Sequence, residues 1–333
     1  MVEKFKYVDT YYGSVNLEIR KVGKKKKYYL AHSFREGKKV GKIRRYLGSD
    51  LREKELENLR KRAEEIIRQQ LESYRIIKDP LHHDLDKHEL KILKKLEQKA
   101  NLNVLHLSEN DWKTFTELFT YNTNAIEGSE LAQKEVKEIL EEGKWPHDAD
   151  KRDISETYGV AEAVRYIRDS KEELSIRLIK KLHQIVFKNS KFFAGKLRPK
   201  GVEVVIKNAL GDIVHVGAPA NRIRGLLEEL EEWYNDHRKK YSPIVLAAVV
   251  HNQFETIHPF QDGNGRVGRL LLNSILLKHK LPPVNISLTN RREYYSALQE
   301  YQKNRNIRPT INLMLKEYKK LKKDLGAYKK RKM

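Results

Sequence analysis

The chain has 333 residues, 68 Lys and Arg against 46 Asp and Glu, a formal net charge of +22, and no Cys. Disulfides, thiolate catalysis and Cys-ligated zinc are thereby excluded. The longest apolar run, Ile244 to Val250, is too short to cross a bilayer. With no apolar signal region at the N-terminus, the expectation is a soluble cytoplasmic protein with no membrane partner. The charge gathers at the ends: residues 1–50 hold 14 basic and 5 acidic side chains, and residues 316–333 hold 9 and 2. Such ends favour nucleic acid or another polyanion. A Cys-free chain rich in Lys, Arg and Glu also fits surface ion networks that raise thermal stability.

In chain order, Val15, Leu17 and Ile19 alternate with Asn16, Glu18 and Arg20, a period of two that predicts a strand. Lys27 to Phe34 and Val40 to Leu47 flank a Gly-containing hairpin loop, Arg35-Glu36-Gly37-Lys38-Lys39. Residues 1–48 are therefore expected to form a small basic antiparallel β domain. Lys24 to Lys27, Tyr28, Tyr29, Arg44, Arg45 and Tyr46 interleave cations and aromatics. That pattern suits a nucleic-acid backbone and also fits a plain solvated hairpin. Ser49 or Asp50 is placed to cap the next helix. From Leu51 to about Ile77 a long amphipathic helix is expected, because Leu56, Leu59, Ala63, Ile66, Gln70 and Tyr74 recur at steps of three and four. So narrow a seam either packs on its own domain or pairs two chains as a coiled coil, hence the expectation of a homodimer. Asp79-Pro80 breaks this helix, and a second covers Asp86 to Ala100. Residues 49–106 thus read as a helical linker, with His82, His83, Asp84 and His88 solvated in it.

Beyond Ser108 the periodicity is helical almost throughout. Helices are predicted over Asp111–Tyr121, Ala132–Glu142, Ile154–Arg168, Ile176–Lys188, Asn221–Arg238, Pro243–Thr256, Arg266–Lys280, Arg292–Lys303 and Thr310–Leu325. Trp112, Phe115 and Phe119 fall at core spacing. One interruption is β-like: Val202 to Ile206, a turn at Asn208 to Asp212, then Ile213 to Val216, a hairpin on a helical body. Residues 326–333 form a basic tail.

The segment that carries chemistry runs from His258 to Arg269, His-Pro-Phe-Gln-Asp-Gly-Asn-Gly-Arg-Val-Gly-Arg. Pro259 ends the preceding helix. Asp262-Gly263-Asn264-Gly265 offers positions tolerant of positive φ, so successive N–H groups can form an anion nest at the start of an apolar helix. Arg266 and Arg269, three apart, lie on one face of its first turn and suit a polyphosphate. Asp262 is a hard oxygen ligand for Mg²⁺. His258 has the pKa range of a general base. His251, Glu255 and His258 mimic a metal-ligand face, but Pro259 puts His258 past the helix end and His251 is expected to pack internally.

This segment resembles the signature of the Fic family, His-Pro-Phe-x-Asp/Glu-Gly-Asn-Gly-Arg-x-x-Arg, at every specified position. His251 to Ile257, Gly195-Lys-Leu-Arg198 and Tyr294-Tyr295 are also similar to that family, and the resemblance spans about residues 108–305. It implies a mainly α fold, a Fic-type helical core over residues 107–325 with a β-hairpin flap at about 199–217. It implies a nucleotidyltransferase that moves AMP from ATP, with Mg²⁺, onto a Ser, Thr or Tyr hydroxyl of a target protein docked on the flap, and onto itself. By the resemblance His258 is the base, Asp262 the Mg²⁺ ligand, and Gly263, Asn264 and Gly265 the anion hole. Arg266 and Arg269 bind phosphates, Arg269 the γ-phosphate, and Tyr294 or Tyr295, with Tyr295 preferred, touches the adenine. The flap ends in Ala218-Pro219 where many relatives carry Pro-Pro.

Thr123-Asn124-Ala125-Ile126-Glu127-Gly128 resembles the family's inhibitory signature, Ser/Thr-x-x-x-Glu-Gly/Asn. The resemblance implies an inhibitory helix at about 121–129, with Glu127 pairing with Arg269 and excluding the γ-phosphate. Two alternatives follow. The same site can remove AMP, with Glu127 placing a water. Alternatively, the chain is a nucleic-acid-binding regulator whose Fic core only senses nucleotide.

Overall fold

The computed structural model describes residues 15–36, 39–78, 80–81, 86–99, 107–207 and 213–331. Two compact units divide within a helix, between Tyr74 and Arg75. In the first unit β1 (Asn16–Val22), β2 (Lys25–Glu36) and β3 (Lys39–Ser49) form an antiparallel sheet in that order. Gly23 turns β1 into β2 at φ 61°, where a side chain would be strained. The core face of this sheet belongs to β2 and β3, through Leu30, Phe34 and Ile43. β1 is an exposed edge with Ile19 55% accessible. Its alternation identified which side chains share a face, but a period of two does not require that anything cover them.

Neither residue expected to cap the next helix does so. Asp50 Oδ1 accepts from Lys26 N–H at 2.8 Å, and Ser49 Oγ meets Tyr46 OH at 2.6 Å. The long helix α1 (Glu53–Lys78) buries Ala63, Ile66 and Gln70 of the anticipated seam within this chain, joined by Ile67 and Leu71. Tyr74 lies beyond the side chains described.

The second unit is helical: α2 (Lys87–Lys99), α3 (Glu109–Ile126), α4 (Gln133–Glu142), α5 (Lys151–Asp169), α6 (Ile176–Phe187), α7 (Ile223–His237), α8 (Pro243–Ile257), α9 (Asn264–Lys278), α10 (Arg291–Asn304) and α11 (Arg308–Arg331). Between α6 and α7 stands the hairpin of β4 (Val205–Lys207) and β5 (Ile213–Val216), pairing Val205 with Val216 and Ile206 with His215. Its expected turn, 208–212, and the group at 82–84 lie outside the described residues. α8 is buried on every side, as its apolar sequence demands, and α9 packs along it. Gly159 of α5 lets that helix approach the Val186 carbonyl of α6, where a Cβ would overlap backbone. No helix among the described residues is long and apolar enough to cross a membrane.

One boundary differs from expectation. α3 starts at a capping box between Ser108 and Asp111 and runs unbroken to Ile126, so Glu127 is its C-cap rather than part of a separate helix at 121–129. Asn122, Thr123 and Asn124 are weak helix formers, but all three are buried, and packing overrides propensity.

Candidate active site

The site forms where α8 ends and α9 begins. His258 is the C-cap of α8 and adopts the left-handed conformation, φ 52° and ψ 61°, uncommon for a non-glycine residue and restricted further by Pro259. Its N–H closes the helix on Phe254 O at 2.9 Å. Nδ1 lies 3.2 Å from Glu255 O. A carbonyl only accepts, so Nδ1 carries the proton and Nε2 is left as the basic nitrogen. Burial pushes His258 down to about 4, so the ring is neutral at ordinary pH. On the flap strand, His215 stands 5.9 Å from it, ring to ring, and donates from Nε2 to Thr256 O at 3.1 Å.

Arg198 fixes this corner. Its guanidinium, buried with no carboxylate paired to it among the described residues, donates to His258 O at 2.8 Å, Val202 O at 3.0 Å, Ile257 O at 3.3 Å and Ala218 O. The first and third are carbonyls at the negative end of α8, where a cation is favourable. The other two are the two ends of the flap. Burial lowers Arg198 only to about 10, so it stays charged. Gly217 must lack a side chain here, since a Cβ would sit 2.9 Å from Arg198 Nη2 and 3.0 Å from His258 Cβ.

In the loop that follows, only Gly263 of the four candidate positions takes positive φ, 81°. Asn264 staples the loop rather than projecting from it. Its Oδ1 accepts from Phe260 N–H at 2.9 Å and its Nδ2 donates to Phe260 O at 3.0 Å. The first helical bond of α9 is Val267 N–H to Gly263 O, so the N–H groups of Asn264, Gly265 and Arg266 precede the intrahelical ladder, where an anion is favoured. His183 of α6 donates from Nε2 to Asp262 O at 3.1 Å while its Nδ1 accepts from Gly195 N–H at 2.8 Å. It stacks on Phe260 at 3.8 Å.

Arg266 and Arg269 are both buried but reach different partners. Arg266 pairs with Glu156 and lies 4.6 Å above the Phe187 ring. Lys191 joins Glu156 at 3.1 Å to Asp262 Oδ2 at 2.8 Å, giving an alternating row Asp262, Lys191, Glu156, Arg266. Burial would raise the Asp262 pKa, but Lys191, with Arg266 and Gly263 N–H, outweighs it and holds the carboxyl below its ordinary value. Asp262 is half exposed and ionised, and a carboxylate beside phosphate oxygens is the donor set Mg²⁺ takes, so the residues present fit the ion. Lys191 would have to release Oδ2 for it.

Arg269 is held by Thr123 Oγ1 at 2.7 Å, Thr123 O at 3.0 Å, Glu127 Oε1 at 2.8 Å and Tyr294 OH at 3.3 Å. Gly265 makes the approach of Glu127 feasible, because a Cβ there would overlap Oε1. Past Glu127, Gly128 turns the chain at φ 103°. Tyr294 is buried and also meets His251 Nε2 at 3.1 Å, so Tyr294 holds Arg269 from behind and His251 backs Tyr294. Glu255, pushed up to about 8 by burial, shares this pocket, and Gly268 leaves room for it. Tyr295 is 36% accessible at the edge of the site; its hydroxyl donates to Ile126 O at 3.4 Å and Arg291 sits 5.6 Å over its ring. Phe115 and Phe119 are core residues stacked at 5.5 Å.

Arg198, Lys191, Glu156, His183 and His215 were not assigned roles from the sequence. Two had a readable signal: Glu156 and His183 fall within the buried arcs of α5 and α6, where an ionisable residue needs a reason.

Residues 173–276 match the Fic/DOC family, so the chain carries a Fic domain. It is 36% identical over 188 residues to protein adenylyltransferase fic-1 of Caenorhabditis briggsae, a match covering 54% of this chain and 36% of the relative. It is 31% identical over 198 residues to protein adenylyltransferase Fic of Drosophila ananassae, covering 58% of this chain and 38% of the relative. The matched region thus spans little more than a third of these relatives. Among solved structures, Fic-1 (aa134–508) from C. elegans aligns at TM-score 0.60 and 27% identity, over 83% of this chain and 87% of that one. A Fic family protein from Desulfovibrio desulfuricans aligns at TM-score 0.61 and 20% identity, covering 74% and 76%, a likeness of fold.

Proposed function

We propose that this Fic-domain chain is an autoinhibited protein adenylyltransferase that moves AMP from ATP to a Ser, Thr or Tyr hydroxyl of a target protein and of itself. The observation that carries the reading is the Glu127–Arg269 pair facing the loop that bears His258. In the reaction the hydroxyl oxygen attacks the α-phosphorus and the bond from that phosphorus to the β-phosphate bridge breaks. Pyrophosphate leaves, and the hydroxyl proton passes to His258 Nε2. His258 is suited to this because it is neutral and its other nitrogen is committed to Glu255 O. The N–H groups at the start of α9 and the guanidinium of Arg269 bind phosphate oxygens. Arg266, anchored by Glu156, keeps the first turn of α9 positive. A Mg²⁺ held by Asp262 would neutralise phosphate charge. Positioning and charge neutralisation are most of what such transfer requires.

The flap receives the target as an added strand on β4–β5, and Arg198 keeps that hairpin in fixed relation to His258. The brake is electrostatic: a guanidinium already paired with Glu127 cannot also hold a γ-phosphate, and the carboxylate repels one. Incubation with ATP labelled at the α- or the γ-phosphorus tests the reaction. Label retained on protein from the α position only is expected, and γ-label retention would contradict it.

A further inference from the structure

The N-terminal sheet carries a surface that the transfer chemistry does not use. Side chains paired across antiparallel strands share a face. The register sets Arg20 opposite Lys27, Glu18 opposite Tyr29, Tyr29 opposite Tyr46, Ala31 opposite Arg44 and Ser33 opposite Lys42. One face therefore collects the cations Arg20, Lys25, Lys27, Lys42 and Arg44 around Tyr29 and Tyr46. It is the outward face: apart from the small Ala31 its side chains are half-buried or exposed, whereas the positions between, Leu30, His32, Phe34 and Ile43, are buried.

Three features separate it from an ordinary solvated sheet. The tyrosine rings lie 5.2 Å apart and Tyr46 is 55% accessible, so apolar ring surface is presented among the charges. Arg20 sits 5.4 Å over the Tyr29 ring. Arg20 and Lys27 stand directly opposite each other, an arrangement that opposes folding and that a polyanion would relieve. Glu18 supplies one carboxylate, already engaged by Arg20, Lys42 and Arg44.

We propose that this face binds single-stranded nucleic acid, with phosphates on the cations and bases stacked on the Tyr29–Tyr46 pair. Stacking requires bases that are splayed out, which a duplex withholds. A three-stranded face is also wider than the two-stranded ribbon or single helix that a major groove admits. A duplex would meet only the charges.

The test is fluorescence anisotropy of the full chain with a labelled single strand of about 20 nucleotides, longer than common single-strand sites, and with the matching duplex. Arg20→Gln, Lys25→Gln and Lys27→Gln combined are compared with Lys134→Gln, Lys151→Gln and Lys239→Gln, which remove equal charge from exposed positions of the helical unit. The sheet triple is expected to weaken single-strand binding about tenfold or more. It should also flatten the salt dependence, by about 0.7 in log–log slope for each phosphate no longer neutralised. The helical triple should stay within about twofold. Tyr46→Ala should cost about tenfold on the single strand and nothing on the duplex. Equal losses in the two triples, a Tyr46→Ala effect shared by duplex and single strand, or binding only to anionic lipid vesicles would overturn the proposal.

Discussion

Glu127 Oε1 lies 2.8 Å from Arg269 Nη2, and it gets there from the C-cap of α3. A carboxylate at that end of a helix meets the negative pole of the dipole, an unfavourable placement of about 0.3–1 kcal/mol. Arg269, 2% exposed, would otherwise be a buried cation short of a countercharge. The pair offsets both costs. If it holds the site 99:1 closed, it is worth about 2.7 kcal/mol, half of a full two-state swing.

Glu127→Gly should accordingly raise transfer by about 100-fold, the same free energy expressed as a rate. The affinities provide an independent check. Wild type should bind ATP and ADP about equally, because the γ-phosphate has no cation to meet. The Gly variant should favour ATP, as read by calorimetry. Equal affinities in the variant would show that Arg269 was not being withheld.

The pH profile should lack the usual histidine limb. The proposed base, His258, must be unprotonated to accept a proton, and burial lowers its pKa to about 4, so transfer by Glu127→Gly should hold steady down through pH 6.5 and fall only near 4. A midpoint near 6.5 would place His258 in water. Stability must be followed alongside. His183, His215 and His251 are depressed by burial to about 4, 3 and 3. Between those values and about 6.5 the unfolded chain binds more protons, so stability falls as pH drops through that window. Glu255 works the other way. Raised to about 8, it holds a proton that the unfolded chain releases near 4.5, so its contribution declines as pH rises from 4.5 to 8. Glu255→Gln should flatten the alkaline side of a melting-temperature profile.

Arg198→Met should destabilise the fold by about 3 kcal/mol or more in denaturant titration, because the buried carbonyls of Ile257 and Ala218 and the half-buried ones of His258 and Val202 lose a charged donor together. Arg198→Lys should recover only part of this, since an ammonium lacks the planar fork. Wild-type stability in the Met variant would mean those carbonyls find other donors.

Lys191→Met should tighten divalent-cation binding at Asp262 severalfold, since the ammonium 2.8 Å from Oδ2 must otherwise be displaced. Manganese titration followed by electron paramagnetic resonance, with nucleotide present, reads this without turnover. Unchanged affinity would put the cation elsewhere.

The helices of the core were legible because each buries a stripe at the helical period, and α8 because its apolar run admits no other place. The candidate loop stood out because a histidine, a carboxylate, glycines and two arginines fall within twelve consecutive residues. What stayed hidden depends on packing between distant segments. Arg198 acts on carbonyls, which have no residue identity to read. Lys191 reaches Asp262 from the loop after α6, and Arg266 and Arg269, alike in sequence, are told apart by the Glu156 carboxylate that pairs with Arg266. The continuity of α3 into Asn122, Thr123 and Asn124 runs against propensity and follows from their burial.

The central claim is best tested by intact mass after incubation with ATP and Mg²⁺, on wild type, Glu127→Gly, and Glu127→Gly combined with His258→Ala. An AMP adduct should grow on Glu127→Gly, be slight on wild type, and fall at least ~100-fold in the double variant. An adduct that persists without His258, or none on Glu127→Gly despite bound ATP, would contradict the account.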